Sequence, residues 1–113
     1  VQGSQEVSET LGTLFDMIQQ GPVASLIQLR NAGSNTINYR FQEFDGSDWA
    51  DIGESGDDTY DTLIEDEVKH IKLESGYPKV RLVGNASGGS TIEFSVTRYY
   101  ARTDGGSIPM LSF

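Results

Sequence analysis

Hydrophobic and polar residues alternate one by one in two stretches of the chain. Such alternation predicts β-strands, because successive side chains of a strand point to opposite faces, one buried and one solvated. The alternating apolar positions are Ile37, Tyr39 and Phe41 in one stretch, and Ile92, Phe94 and Val96 in the other. Weaker patterns predict further strands over residues 11–18, 25–30, 68–73 and 79–83.

Short segments rich in Gly, Asn, Asp and Ser follow or precede these strands and predict turns. They occupy residues 31–35, 45–48 and 84–90. Short strands with this punctuation indicate an all-β fold, an antiparallel β-sandwich or jelly roll of about six to eight strands. Residues 57–72 also carry apolar positions at roughly helical spacing. One helical turn over residues 61–67 therefore competes with a loop that leads into the strand at Val68.

Length and composition limit the classes of function. A chain of 113 residues has room for one domain. Its net charge is −9 and its pI is near 4.3, which argues against binding to nucleic acid or to an anionic membrane, because both require clustered cations. There is no cysteine, so a disulfide, a thiolate zinc site and a cysteine nucleophile are excluded. No apolar run reaches the roughly 18 residues of a membrane span, and residues 1–6 do not resemble a signal peptide.

The two ends of the sequence are expected to form extended arms. We divide the chain into an N-terminal arm at residues 1–10, a β-sandwich domain at 11–100 and a C-terminal arm at 101–113. The C-terminal arm contains a Gly-Gly hinge at Gly105, followed by an apolar end that includes Phe113. Chain ends fray unless something holds them. We therefore expect the arms to contact either the domain itself or a partner, and we favour the partner.

An acidic stretch covers residues 43–67, which contain 11 carboxylates and neither Lys nor Arg. The favoured interpretation is a solvated acidic loop that aids solubility. A calcium site at Asp45, Asp48 and Asp51 is one alternative, because calcium takes roughly six to eight oxygen ligands. A pair of carboxylates acting as general acid and base is the other. The spacing does not match an EF-hand loop, and we assign no metal ligand and no cofactor.

A catalytic site has little support in the sequence. His70 is the only histidine, and by alternation it shares a strand face with Val68, opposite Ile71. No Gly-x-Ser-x-Gly motif and no phosphate-binding glycine loop is present. We expect His70 to be a surface or half-buried strand residue, and we predict that the protein is not an enzyme.

The aromatic residues offer a different kind of site. Trp49, the single tryptophan, follows the polar turn at residues 45–48. It could stack on a sugar ring or on a partner's side chain. We instead favour a position that closes the end of the sandwich core. Tyr60 and Tyr77 are the other candidates for a stacking surface.

Two motif-bearing stretches connect these observations. Residues 29–39 combine a strand, an Asn-x-Gly turn and a second strand, and residues 44–52 contain the run Asp-Gly-Ser-x-Trp-x-Asp-Ile. Residues 67–73 and 80–83 continue the same plan. Over roughly residues 25–100 the chain resembles small β-sandwich structural proteins of tailed bacteriophages. Its size and arms look most like those of capsid decoration, or cement, proteins.

The resemblance implies a virion protein on the capsid exterior, made in the host cytoplasm. Such a protein binds the major capsid protein and copies of itself, as a dimer or trimer, and carries no catalytic residues. Docking would depend on the two arms, and neither nucleic acid nor a membrane would be a partner. The alternative is a carbohydrate-binding or adhesion β-sandwich of a phage tail or a bacterium, which would use Trp49, Tyr60 and Tyr77, with or without calcium.

Overall fold

The computed structural model describes residues 2–18, 23–74, 76–101 and 107–109. Within these ranges the chain is all-β and contains ten strands and no helix. The strands are β1 (Gln2–Val7), β2 (Gly12–Ile18), β3 (Val23–Asn31), β4 (Ile37–Phe44), β5 (Trp49–Asp51), β6 (Tyr60–Leu63), β7 (Val68–Leu73), β8 (Lys79–Asn85), β9 (Ser90–Ala101) and β10 (Ser107–Pro109).

The strands form two antiparallel sheets. The first sheet has the order β1-β9-β3-β7, with β10 also paired to β9. The second sheet has the order β2-β8-β4-β5, with β6 also paired to β4. The predicted all-β sandwich is therefore confirmed.

The core lies between the two sheets and is formed by the inward positions of each alternating strand. Ile37, Tyr39 and Phe41 of β4 are almost completely buried, as their alternation predicts. Three phenylalanines join the two layers: the ring of Phe15 is stacked on Phe94 of the first sheet at 4.5 Å and meets Phe41 of the second sheet edge-on at 6.4 Å. Aromatic pairs in these arrangements are favourable beyond the area that they bury.

All six predicted strands are present, and four further strands accompany them. Strands β1, β5, β6 and β10 were not expected from alternation. The competition over residues 61–67 is resolved without a helix, because β6 ends at Leu63 and a tight turn leads into β7. In that turn Asp66 has a φ of 61°, and its N–H donates to the carbonyl of Asn31.

The described parts of both terminal segments lie on one edge of the first sheet. Strand β1, within the predicted N-terminal arm, pairs with β9 so that Gln2 faces Ser95 and Val7 faces Ser90. Strand β10, within the predicted C-terminal arm, pairs with β9 so that Pro109 faces Tyr99. Residues 2–7 and 107–109 thus contact the domain itself, which is the less favoured of the two expectations for the arms. The hinge at Gly105 and the apolar end at residues 110–113 lie outside the described residues.

Candidate functional site

The outward face of the second sheet carries a group of aromatic and basic side chains. Alternation in β4 directs Phe41 inward and Phe44 toward the outside, and alternation in β8 directs Val80 and Leu82 inward. Lys79 and Arg81 therefore share the outer face with Phe44. Trp49 of β5 is paired directly with Phe44. We call Phe44, Trp49, Lys79 and Arg81 the basic-aromatic cluster.

The members of the cluster are in contact across three strands. The rings of Phe44 and Trp49 are tilted against each other, with their centres 5.2 Å apart. Lys79 Nζ lies 5.0 Å from the centre of the Phe44 ring. The guanidinium carbon of Arg81 lies 4.3 Å from the centre of the Trp49 ring. Such contacts between a cation and an aromatic face are attractive.

A chain of polar contacts holds the Arg81 guanidinium from below. Arg81 Nε donates to Gln42 Oε1 at 2.9 Å, and Gln42 Nε2 donates to Asp51 Oδ1 at 2.8 Å. The same Asp51 oxygen lies 3.4 Å from Arg40 Nε. Gln42 is only 8% exposed. The Gln42 amide is buried and bonded at both ends, so it gives Arg81 Nε a well-positioned acceptor.

The two cations of the cluster differ in their electrostatic surroundings from four other basic residues. Arg30, Arg40, Lys69 and Lys72 each form an ion pair with a carboxylate. Within the described part of the chain, Lys79 and Arg81 have no such ion pair, and neither has Arg98 of β9, but only Lys79 and Arg81 lie together on one surface. In a protein of net charge −9 this is notable, since carboxylates outnumber cations by two to one. The cluster is a local basic surface on an acidic molecule.

An open depression of about 290 Å³ lies further along the second sheet, and none of the four cluster residues lines it. Its lining includes Arg40 and Tyr60, which lie opposite each other on β4 and β6 and are joined by a 3.3 Å hydrogen bond from Arg40 Nη1 to the Tyr60 hydroxyl. Asn38, Thr62 and Asn85 add amide and hydroxyl groups, and Leu11 adds an exposed apolar side chain. The outer face therefore has a basic-aromatic end and a polar, concave end.

The three predicted stacking residues do not form one surface in the structure. Trp49 is half-buried on the outer face and is not part of the core, so the expectation that it closes the core is wrong. Tyr60 lies on the same face, beside Arg40. Tyr77 packs against the core and is not part of this surface.

Sequence reasoning missed Lys79, Arg81 and Phe44 as site residues. A signal was present, because Val80 and Leu82 alternate with Lys79 and Arg81, which places both cations on the solvated face of one strand. The register that brings them to Trp49 is not local. It depends on β4 lying between β8 and β5, with Gln42 facing both Arg81 and Asp51.

The acidic stretch is largely solvated, as the favoured interpretation expected, but several of its carboxylates have defined contacts. Asp45 Oδ1 accepts the backbone N–H groups of Ser47 and Asp48, both at 2.8 Å, and these bonds lower the pKa of Asp45. The Asp51 carboxylate is directed at Gln42 and Arg40. Two of the three proposed calcium ligands, Asp45 and Asp51, thus have other partners. The described residues contain no group of three or more acidic or histidine side chains arranged to hold a metal ion.

His70 lies where the alternation predicts. It is exposed on β7, with Val68 on its face and Ile71 buried on the other. His70 pairs across the sheet with Gln28. No described serine or carboxylate forms a hydrogen bond with its ring in the structure.

The described residues include no helix of the length and apolar character that a membrane crossing requires.

Comparison with known proteins assigns no family to the chain. No protein-family model, no curated protein and no solved structure matches the chain.

Proposed function

We propose that this chain is a non-enzymatic structural protein of a virion, which docks on the outside of a phage capsid through its terminal segments. The observation that supports this proposal is the position of β1 and β10. Both lie on the same edge of the first sheet, and both pair with β9. Their facing ends approach the stretch of β9 from Val96 to Arg98. A docking interface formed by both segments would therefore be concentrated at one edge.

Strand β1 is suited to strand exchange, in which it pairs either with β9 of its own domain or with the sheet edge of a neighbouring molecule. Five of its six residues are exposed, and Val7 is the one that enters the core. Strand β1 is therefore held mainly by backbone hydrogen bonds to β9, which an equivalent strand from another chain can replace. A sheet edge that accepts a strand gains main-chain hydrogen bonds and pockets for alternate side chains.

A capsid shell repeats the same binding site many times, so contacts of modest area are sufficient to hold the protein on it. A standard specific interface buries about 1,600 Å² in total. Contacts smaller than this still hold a decorating protein when they cooperate with contacts between neighbouring copies. The exposed acidic residues would face solvent in this arrangement and limit the clumping of particles.

The proposal is tested by removing one segment at a time. We expect deletion of residues 105–113, which removes β10, to leave a folded domain that no longer joins the particles of the virus that encodes it. Deletion of residues 1–8 should also weaken incorporation. Light scattering on the purified full chain should show a dimer or trimer that EDTA does not dissociate. Ile64→Ser is the matched control, because it removes an exposed apolar side chain of the turn after β6, away from this edge.

Two results would overturn the proposal. One is stoichiometric decoration of particles by the chain that lacks residues 105–113. The other is a monomer whose thermal stability falls when EDTA is added, which would favour a calcium-dependent binding module instead.

A further inference from the structure

We propose that the outer face of the second sheet binds an acidic oligosaccharide, with a sugar carboxylate held by Lys79 and Arg81. This inference is independent of the docking function proposed above, which involves the first sheet. It follows from three features of the face: two cations that form no ion pair with any described carboxylate, a hydrogen-bonded support beneath one of them, and a polar depression further along the same surface.

The cations are positioned to recognise a carboxylate. Arg81 uses Nε to contact Gln42, and in the described structure its two terminal nitrogens form no hydrogen bond. A guanidinium with free terminal N–H groups binds a carboxylate in a bidentate manner. Lys79 is exposed on the same face and lies against the Phe44 ring, so a second positive charge stands next to the first. Both side chains are already ordered by their aromatic contacts, which reduces the entropy lost when a ligand binds.

The aromatic rings have a supporting role in this site. The guanidinium of Arg81 already lies on the Trp49 ring. The indole face is therefore not free to stack on a neutral sugar in the way that the sequence suggested. A ligand meets the cation first, and this favours a charged sugar over an uncharged one.

The remainder of the face fits a saccharide better than other polyanions. The lining of the depression includes Asn38, Thr62, Asn85 and Tyr60, whose polar groups can hydrogen-bond sugar hydroxyls. Asp61 also belongs to the lining, and its carboxylate is paired with Lys69. From Lys79 to Asn85, strand β8 extends for about 20 Å at roughly 3.3 Å per residue, enough for several sugar units. Nucleic acid is disfavoured by the net charge of −9, since its affinity requires many cations.

Titration with an oligomer of six galacturonic acid units tests the inference. Trp49 is the only tryptophan, so its fluorescence reports on the site directly, and calorimetry gives an independent affinity. We expect saturable binding that weakens as salt is raised. Arg81→Gln and Lys79→Gln should each weaken it at least tenfold. Lys72→Gln is the matched control, because Lys72 is an exposed cation of the first sheet, and this variant should bind as the unaltered chain does.

Two comparison ligands test whether the face recognises the negative charge of the ligand, its sugar units, or both. A neutral hexasaccharide should bind at least tenfold more weakly than the uronate, and a hexaglutamate peptide likewise. Equal binding of the neutral sugar would overturn the role of the cations. Equal or tighter binding of the peptide would overturn the saccharide and assign the face to an acidic protein segment. Absence of uronate binding, or uronate binding that survives both substitutions in folded variants, would refute the site.

Discussion

The side-chain amide of Asn31 donates a 2.8 Å hydrogen bond to the carbonyl oxygen of Leu63, and so connects strand β3 of the first sheet with strand β6 of the second. Asn31 is fully buried, and its side chain forms four hydrogen bonds. Nδ2 donates to the carbonyls of Leu63 and Asn35, and Oδ1 accepts from the Gly33 N–H and the Ser90 hydroxyl.

We expect Asn31→Ala to lower the free energy of unfolding by about 2–4 kcal/mol, because it leaves several buried polar groups without partners at about 1–3 kcal/mol each. Urea denaturation measures this loss. Asn35→Ala is the comparison, since that amide is partly exposed and its Nδ2 donates to one carbonyl, that of Gly89. A loss of less than 1 kcal/mol for Asn31→Ala would show that the network does not join the sheets energetically.

The contact between Gly3 and Phe94 controls the attachment of β1. A Cβ atom on Gly3 would lie 2.8 Å from the Phe94 ring, and that ring cannot move away freely because it is stacked on Phe15. We expect Gly3→Ala to cost about 1–3 kcal/mol of stability and to speed hydrogen exchange in residues 2–7. Ser4→Ala, at an exposed position on the same strand, should change stability by less than about 0.5 kcal/mol. Unchanged exchange in Gly3→Ala would contradict the idea that this contact sets the fit of β1.

The contact between Arg81 and Trp49 predicts an optical change in the absence of any ligand. Arg81→Gln removes the cation that covers the indole, so acrylamide should quench the tryptophan fluorescence more efficiently. Stability should fall by about 1–3 kcal/mol, because the buried Gln42 Oε1 loses its hydrogen bond together with the cation–aromatic contact. Lys72→Gln should alter neither quantity. Identical quenching in Arg81→Gln and the unaltered chain would mean that the guanidinium does not shield the ring in solution.

Stability in acid should depend on Asp61. Its Oδ2 accepts a 2.9 Å hydrogen bond from Lys69 Nζ, and this contact, followed by a backbone hydrogen bond at Thr62, lowers the pKa of Asp61. A lowered pKa in the folded state means that the stabilisation is present above the unfolded value of about 3.9 and is lost as the pH falls through the folded value.

We therefore expect Asp61→Asn to be less stable than the unaltered chain at pH 7, with a difference that shrinks below about pH 4. Thermal unfolding from pH 7 to pH 2.5 measures this. Asp58→Asn is the control, because in the described structure the Asp58 carboxylate accepts no hydrogen bond, and this variant should follow the acid profile of the unaltered chain. A difference between Asp61→Asn and the unaltered chain that is constant with pH would contradict the assignment.

The sequence was sufficient for the strands that alternate, and insufficient for those that do not. Strand β4 buries Ile37, Tyr39 and Phe41, and strand β9 buries Ile92 and Val96 with Phe94 half-buried between them, so their alternation is readable. Strand β1 buries only Val7, β5 is three residues long, and the apolar positions around β6 happen to fit a helical spacing. Each of these strands is paired with a longer strand, β9 or β4, and the local sequence pattern does not contain that tertiary contact.

The candidate site could be predicted from the sequence only in part, for the same reason. The outward direction of Arg81 follows from alternation within β8 and could have been predicted. Its contact with Trp49 requires the order of three strands and their register. The pairing of β4 with β5 is a local hairpin, but the pairing of β4 with β8 joins residues that are distant along the chain. Trp49 was expected to close the end of the core. In the structure, Lys79 and Arg81 lie over its ring on the outer face instead.

The direction of the two edge strands has a consequence for chain connectivity. Strand β10 runs toward Tyr99 of β9, and β1 starts opposite Ser95 and runs the same way. The two segments thus follow one line, separated by the three β9 positions from Val96 to Arg98. A linker of about three residues at roughly 3.4 Å each would join residue 109 to residue 2 without turning the chain. The domain could then be circularly permuted, with new ends opened in the exposed turn at residues 45–48, and β10 and β1 would become a single continuous strand along β9.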